Sequence, residues 1–395
     1  MDIKQQSATT NVAAEVAVVG GGLAGLAAAA ASVDAGFDTV HVAPPAPADR
    51  RTSALMMPSV EALQGLGLIN RPETLGHPLA AIRIIDATRR LFRAPETYFE
   101  ATETGLQAFG WNFANRTLTE QFAAILAANP KYRVVASPIK AMSRDAAGHM
   151  LTAADGTTIA ADLVIGADGK SSLVRGHGPF KITEHRFSVA ALVCDLELAR
   201  PIGTTSVEFH YENGPFTLVP AGGNRANLVW IDAVEDLAAA RELAPEALRD
   251  RLEAKAQRLF GRIEVVSPTV VFPLSTLAVD RAGADGIILV GESAHAFPPI
   301  GAQGLNLGIR DAAALSSVLG GVDRTAPDWA MTASADFGRQ RQGDLGRTTA
   351  TVEALFRSLL NDFLPVQAVR ALGLWSLRAS PLLRRGAFSL GMGQQ

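Results

Sequence analysis

The residues of this chain whose types and spacing could do chemistry are three glycines (Gly20, Gly22, Gly25), two carboxylates that each follow an apolar run (Asp168, Glu292), a Gly/Pro-rich stretch from Pro299 to Asn306, and the arginines Arg51 and Arg116. None of them is a nucleophile. Glycine lets backbone amides approach a ligand, a carboxylate accepts hydrogen bonds, and arginine pairs with phosphate, so the set describes a place that holds an anionic group. The single cysteine, Cys194, excludes an internal disulfide and a cysteine-based metal site and suits a reducing compartment; the seven histidines show no HExxH-like spacing.

These residues need elements to position them. Glu15 to Val19 is a continuous apolar run of the kind buried on both faces of a parallel sheet, and Leu26 to Ala35 is an Ala-rich helix. Gly20-Gly-Gly22-Leu-Ala-Gly25 between them is G-x-G-x-x-G in its proper context. The first glycine makes the tight turn, the second lets the backbone approach a pyrophosphate, and the third lets helix and strand lie close. The spacing does not distinguish FAD from NAD. The next strand, Thr39 to Val42, ends at Ala43, where an acidic residue about twenty positions past the motif normally meets the ribose hydroxyls. Either another group takes the ribose or binding is weaker. Arg51 is placed to pair with phosphate, and two solvated loop arginines, Arg50 and Arg51, are the alternative. A helix from about Pro58 to Leu66 follows.

Gly286 to Ala312 repeats the arrangement. Ile287 to Val290 is a buried-strand run that delivers Glu292 to a strand end; after Pro298, Pro299 and two glycines, Gly301 and Gly304, a helix begins near Leu305. Its unpaired amides and positive dipole end would face whatever lies against Gly304, Leu305 and Asn306. Leu163 to Ile165 is a third such run, after which Asp168-Gly169 turn the chain and Ser171 or Ser172 can cap a short helix containing Arg175. Asp168 either caps that helix or holds neighbouring loops by hydrogen bonds; a plain Asp-Gly turn is the bland alternative.

Between these segments, Ala81 to Asp86 and Arg90 to Ala94 read as a hairpin, followed by a poorly patterned loop to Gly110. Asn115 is expected to cap a helix whose first turn holds Arg116, an unfavourable place for a cation unless it serves an anion. From Phe187 the period becomes two, in Val189 to Leu196, Ser206 to Tyr211, Pro215 to Val219 and Asn227 to Asp232, which predicts an antiparallel insert able to roof a cleft. Phe209, Tyr211, Phe216 and Trp230 are expected in its core. Val16 to Val33 is uncharged, but four glycines and a flank without clear basic character argue against a transmembrane helix. A net charge of 36 − 39 = −3 argues against a nucleic-acid binder.

Together, the motifs at 20 to 25, 161 to 175 and 286 to 312, with an antiparallel insert between the last two, resemble the FAD-dependent aromatic hydroxylases, the class A flavoprotein monooxygenases. Arg51-Thr-Ser-Ala-Leu55 and Gln303-Gly-Leu-Asn-Leu-Gly-Ile-Arg-Asp311 point to the ubiquinone-biosynthesis hydroxylase branch, UbiH/UbiF-like. The resemblance implies an α/β fold: a Rossmann-like FAD-binding domain (12–75, 108–185 and 275–330) with an inserted antiparallel-sheet substrate domain (76–107 and 186–274) and a C-terminal helical segment (331–395). It implies that Gly20, Gly22 and Gly25 hold the FAD pyrophosphate and that Arg51 and Arg116 contact the flavin nucleotide. Asp168 would belong to the family's Asp-Gly motif, Glu292 would stand where the family usually has Asp, and Pro299, Gly304, Leu305 and Asn306 would lie beside the isoalloxazine. It implies hydroxylation of a prenylated phenol with NAD(P)H as co-substrate and O2, through a flavin C4a-hydroperoxide. The expected place is cytoplasmic. From Phe363 to Gln395 the chain has four arginines and no acid, which fits a peripheral contact at the inner face of the membrane and equally a basic helix packed on the flavin domain or on another protein of quinone synthesis. A non-catalytic flavin-fold or lipid-binding subunit, suggested by Ala43 and Glu292, and a nicotinamide-dependent dehydrogenase are the competing readings.

Overall fold

The computed structural model describes residues 10–47, 49–89, 95–145, 148–299 and 302–360, the side chains of 355–360 excepted. Their helices are α1 (Leu23–Asp34), α2 (Met57–Gly65), α3 (Asn115–Ala127), α4 (Leu173–His177), α5 (Val234–Arg241), α6 (Pro245–Lys255), α7 (Gln303–Gly321) and α8 (Trp329–Leu360). The apolar runs read from the sequence meet in one sheet. Asn11–Val19 lies between Thr158–Gly166 and Thr39–Val42, parallel to both, and Ile287–Leu289 and Tyr132–Val135 extend the parallel set on either side. Val16, Ala17, Val18 and Ile287, Ile288, Leu289 are buried, as strands covered by helices on both faces must be. Chain order reverses about Asn11–Val19, so Gly20 stands at the sheet's topological switch point, where open α/β sheets bind ligands.

A second, nine-stranded sheet roofs this end of the molecule. It runs from His295–Ala296 through Val270–Val279, Ile182–Leu198, Arg225–Ala233, Gly214–Pro220 and Thr205–Tyr211 to Ala81–Asp86 and Thr97–Glu100, with Ile263–Val265 added on Ile182–Leu198. Its neighbours are antiparallel except Thr205–Tyr211 with Ala81–Asp86. One face packs Phe209, Phe216, Leu228 and Trp230 with Leu237, Leu248 and Leu252 of α5 and α6. The other carries a smaller apolar patch of Val189, Ala191, Ile231 and Leu274, flanked by Phe187, Val229 and Phe272. Register puts Asn227 on that second face, where it accepts a hydrogen bond at 2.7 Å from Asn112 of a small third sheet formed by Thr52–Met56, Gly110–Ala114 and Gly76–Leu79. The patch therefore looks toward the small sheet rather than toward bulk water.

Three local expectations are corrected. Ala81–Asp86 pairs with Thr97–Glu100, while residues 90–94, the expected partner, lie outside the described residues. The stretch read as loop before Gly110 contains that strand and a short 3-10 turn, Ala101–Thr104. Ala114, not Asn115, is the N-cap of α3; the Asn115 side chain is used elsewhere. Among the described residues no helix is long and apolar enough to cross a membrane, and none of Val16 to Val33 behaves as one span: it divides into strand, turn and α1.

Candidate functional site

The floor of the site is the Gly20 turn. Gly20 has φ +125°, and a Cβ placed on it would lie 2.2 Å from the Ala167 carbonyl oxygen; a Cβ on Gly25 would lie 1.9 Å from the Gly20 oxygen. Neither position can carry a side chain. Gly22 is the N-cap of α1, without a side-chain cap, and a Cβ there would meet nothing within 4 Å. The amides of Leu23 and Ala24 thus begin a helix facing open space, the geometry that receives an anion. Behind the turn, His41 is fully buried and bridges two groups: Nε2 lies 2.9 Å from the Gly20 oxygen and Nδ1 2.7 Å from the Tyr132 hydroxyl. A carbonyl only accepts, so Nε2 carries the hydrogen and Nδ1 receives the Tyr132 proton. Burial lowers the pKa of His41, which fits this neutral ring.

Asp168 works as a fastener. Its carboxylate accepts the Leu173 and Val174 amides at 2.7 and 3.2 Å and the Ser172 hydroxyl, starting α4. From α4, Arg175 donates to the Ser293 carbonyl at 2.8 Å, and the Ser293 hydroxyl donates to the Gly166 carbonyl at 2.5 Å. These bonds hold the turn Gly291–Ser293, which presents Glu292 at its exposed apex. Gly291, at φ +60°, abuts α1: a Cβ on it would lie 2.8 Å from the Ala24 Cβ.

The second helix end is α7. Its N-cap, Ala302, is in the left-handed region at φ 54° with no side-chain cap, and a Cβ on Gly304 would meet nothing within 4 Å. Asn306 is buried, and all of its side-chain bonds are internal. Its Oδ1 accepts the Met56 amide at 2.8 Å, and its Nδ2 donates to the Ala54 and Ala302 carbonyls at 2.8 and 2.6 Å. Leu305 is half-buried, Pro298 buried and Pro299 exposed, while Ile300 and Gly301 lie outside the described residues. One turn into α7, a Cβ on Gly308 would lie 3.3 Å from the Gly291 Cα and 3.5 Å from the Ala24 Cβ. The starts of α1 and α7 are therefore packed against a common point, with Glu292 beside it.

The two arginines are placed differently. Arg51 is exposed and grips Asp49 with both ends of its fork, at 2.9 and 2.8 Å. Burial pushes Asp49 up, but the bonds from Arg51 and from Asn115, at 2.8 Å, outweigh it and hold its pKa at about 2. The Arg51 pKa is raised, first by Asp49 and in lesser part by Glu292, so Arg51 stands within the field of the Glu292 turn. Arg116 lies on the exposed face of α3, bonded to Glu120 one turn on at 2.6 Å. Ala43 is half-buried, its Cβ only 3.2 Å from where one on Gly21 would be. The sequence reading missed His41, Arg175 and the internal role of Asn306. For His41 there was a signal, a polar residue within the buried strand Thr39–Val42.

Two uncapped helix starts, with open space at Gly22 and Gly304, Glu292 beside their meeting point and Arg51 within its field, fit an elongated ligand carrying phosphates and hydroxyls, as FAD does. Comparison with known proteins supplies the class. The chain belongs to the FAD binding domain family, whose model matches residues 13–341. Its cofactor is FAD, as the three motifs led one to expect. It is 31% identical to ubiquinone hydroxylase UbiL of Rhodospirillum rubrum across 94% of this chain and 88% of that protein. It is 27% identical to 3-demethoxyubiquinol 3-hydroxylase of Escherichia coli across 97% of this chain and the full length of the relative. Among solved structures, Klebsiella pneumoniae HpxO complexed with FAD and uric acid is similar in fold, with TM-score 0.75 at 19% identity over 96% of both chains.

Proposed function

We infer that the protein is an FAD-dependent monooxygenase that hydroxylates the aromatic ring of a polyprenylated phenol in ubiquinone biosynthesis, with NAD(P)H and O2 as co-substrates. The observation that carries this reading is similarity to two ubiquinone hydroxylases over nearly the whole chain. Bound FAD, reduced by NAD(P)H, supplies the activated oxygen. The protein's part is to bind, orient and keep water out. Gly20, Gly22 and Gly25 would admit the pyrophosphate to the α1 amides; Arg51 and Glu292 would stand along the ribityl and phosphate groups; Arg116 would approach only by leaving Glu120. The amides at Gly304 and Leu305, held by Asn306, would offset negative charge on the reduced ring. Pro299 would line the entrance to that ring. The apolar patch of the roof, Val189, Ala191, Ile231 and Leu274 with Phe187 and Phe272, gives the phenol a dry wall.

The domain division follows the same reading, with the floor sheet as the flavin domain and the roof sheet as the substrate domain. So does a peripheral membrane contact through the acid-free segment 363–395, which lies outside the described residues. The test is to purify the protein, record its flavin absorbance, and follow NAD(P)H oxidation and product mass with a short-chain prenylated phenol. Bound flavin, stimulated oxidation and a product one oxygen heavier are the expected results. A colourless protein that takes up no FAD, or oxidation yielding only hydrogen peroxide with every phenol tried, would overturn the reading.

A further inference from the structure

Against the Glu292 turn, at the Gly291 amide, lies a buried ionic cluster that spans three elements. Asp311 of α7 is 2% exposed. One carboxylate oxygen accepts the Gly291 amide at 2.9 Å and His295 Nε2 at 2.6 Å; the other accepts Arg341 Nε of α8 at 2.8 Å. Arg341, 6% exposed, also donates to Asp344 at 2.6 Å, and Arg310 stands 3.5 Å from that carboxylate. His295 Nδ1, Arg310 Nε and Arg341 Nη2 are buried with no hydrogen-bond partner among the described residues.

This is an expensive way to pack a core. Each buried ion loses its hydration, the unpartnered atoms are not compensated, and apolar residues of similar volume would commonly be as stable or more so. What an ionic cluster adds is a fixed geometry. Here the geometry is fixed at one backbone group, the Gly291 N–H. Gly291 has φ +60° and no room for a side chain against Ala24, so its amide direction sets where Glu292 leaves the turn. Arg175 and Ser293 hold the other end of the same turn.

We propose that Asp311 and Arg341 are positioning residues for the flavin site: through the Gly291 amide they fix the Glu292 turn, and so make FAD affinity depend on the seating of α8. The inference rests on the cofactor-binding roles given above for Gly22 and Glu292. It predicts a coupling between α8, whose Arg341 has no direct part in the cleft, and a side chain at the cleft's edge.

The experiment is FAD titration of apoprotein, followed by flavin fluorescence, for the parent, Arg341→Met, Arg341→Lys, Asp311→Asn and Glu292→Gln, and for Glu292→Gln combined with each of the others. Arg341→Met and Asp311→Asn are each expected to weaken FAD binding about tenfold, Arg341→Lys to restore most of it, and the losses to shrink in the Glu292→Gln background. Apoprotein melting temperatures separate this from global unfolding; if Arg341→Met does not fold, Asp311→Asn carries the test. Dissociation constants within twofold of the parent for Arg341→Met and Asp311→Asn, or losses fully additive with Glu292→Gln, overturn the proposal. A parent that binds no FAD would instead sink the functional reading.

Discussion

α1 and α7 start close together, both without a side-chain cap, yet they are built by different physics. At α1 the path of the chain is dictated by what cannot be there: Cβ atoms on Gly20 or Gly25 would run into backbone oxygens. At α7 a Cβ on Gly304 would meet nothing within 4 Å, and the described conformation is held by attachments. Ala302 accepts a left-handed backbone because Asn306 bonds its carbonyl, and Asn306 in turn ties the helix to Ala54 and Met56, some 250 residues away in sequence. An exclusion-built end is local and rigid. An attachment-built end can be released by changing one distant partner, which suits the end proposed to lie at the reacting ring.

The comparison can be broken first at α1. Gly25→Ala places a methyl 1.9 Å from the Gly20 oxygen, so the turn must move. The expected result is loss of FAD affinity by at least about a hundredfold, measured by titration of apoprotein; an affinity within tenfold would show that the turn is not the steric device described. At α7 the matching change is Asn306→Ala. It leaves the half-buried Met56 amide and Ala54 carbonyl without their Asn306 partner, and should lower the unfolding free energy by about 1–3 kcal/mol in denaturant melts while weakening FAD about tenfold. A stability loss without any change in FAD affinity would separate α7 from the cofactor. The smallest effect sharpens the contrast most. Gly304→Ala meets no protein atom, so it should stabilise the apoprotein by about 0.5–1 kcal/mol through helix propensity and yet weaken FAD severalfold, because the open space belongs to the ligand. Stabilisation with unaltered FAD binding would move the ring away from Gly304.

The same difference decides what was legible in the sequence. Gly20 and Gly25 announce themselves because steric exclusion writes a glycine wherever it acts, and the apolar runs at 16–19, 163–165 and 287–290 announce a parallel sheet because burial on both faces removes polar residues. Asp168 was readable as a cap because capping is local. Attachments leave no such trace. Nothing near Asn306 in the chain names Ala54 or Met56, and nothing near Asn112 names Asn227 across 115 residues. The strand Gly110–Ala114 was passed over for this reason, since its buried Asn112 spoils the alternation until its distant partner is known. Arg116 drew attention as a cation in a first helical turn, and the fold answers that with Glu120, a neighbour that relieves the charge without any ligand.

The strand Ile182–Leu198 begins alongside Val279, where Val270–Val279 comes back toward the flavin-side sheet, and its seventeenth and last residue lies beside Ile263. Its first residues are exposed and its pairing shifts register between Arg186 and Ala190, so the strand carries a joint between its two ends. Under the function proposed above, passage of the substrate would answer to bending at that joint, a motion confined to the near end of the roof.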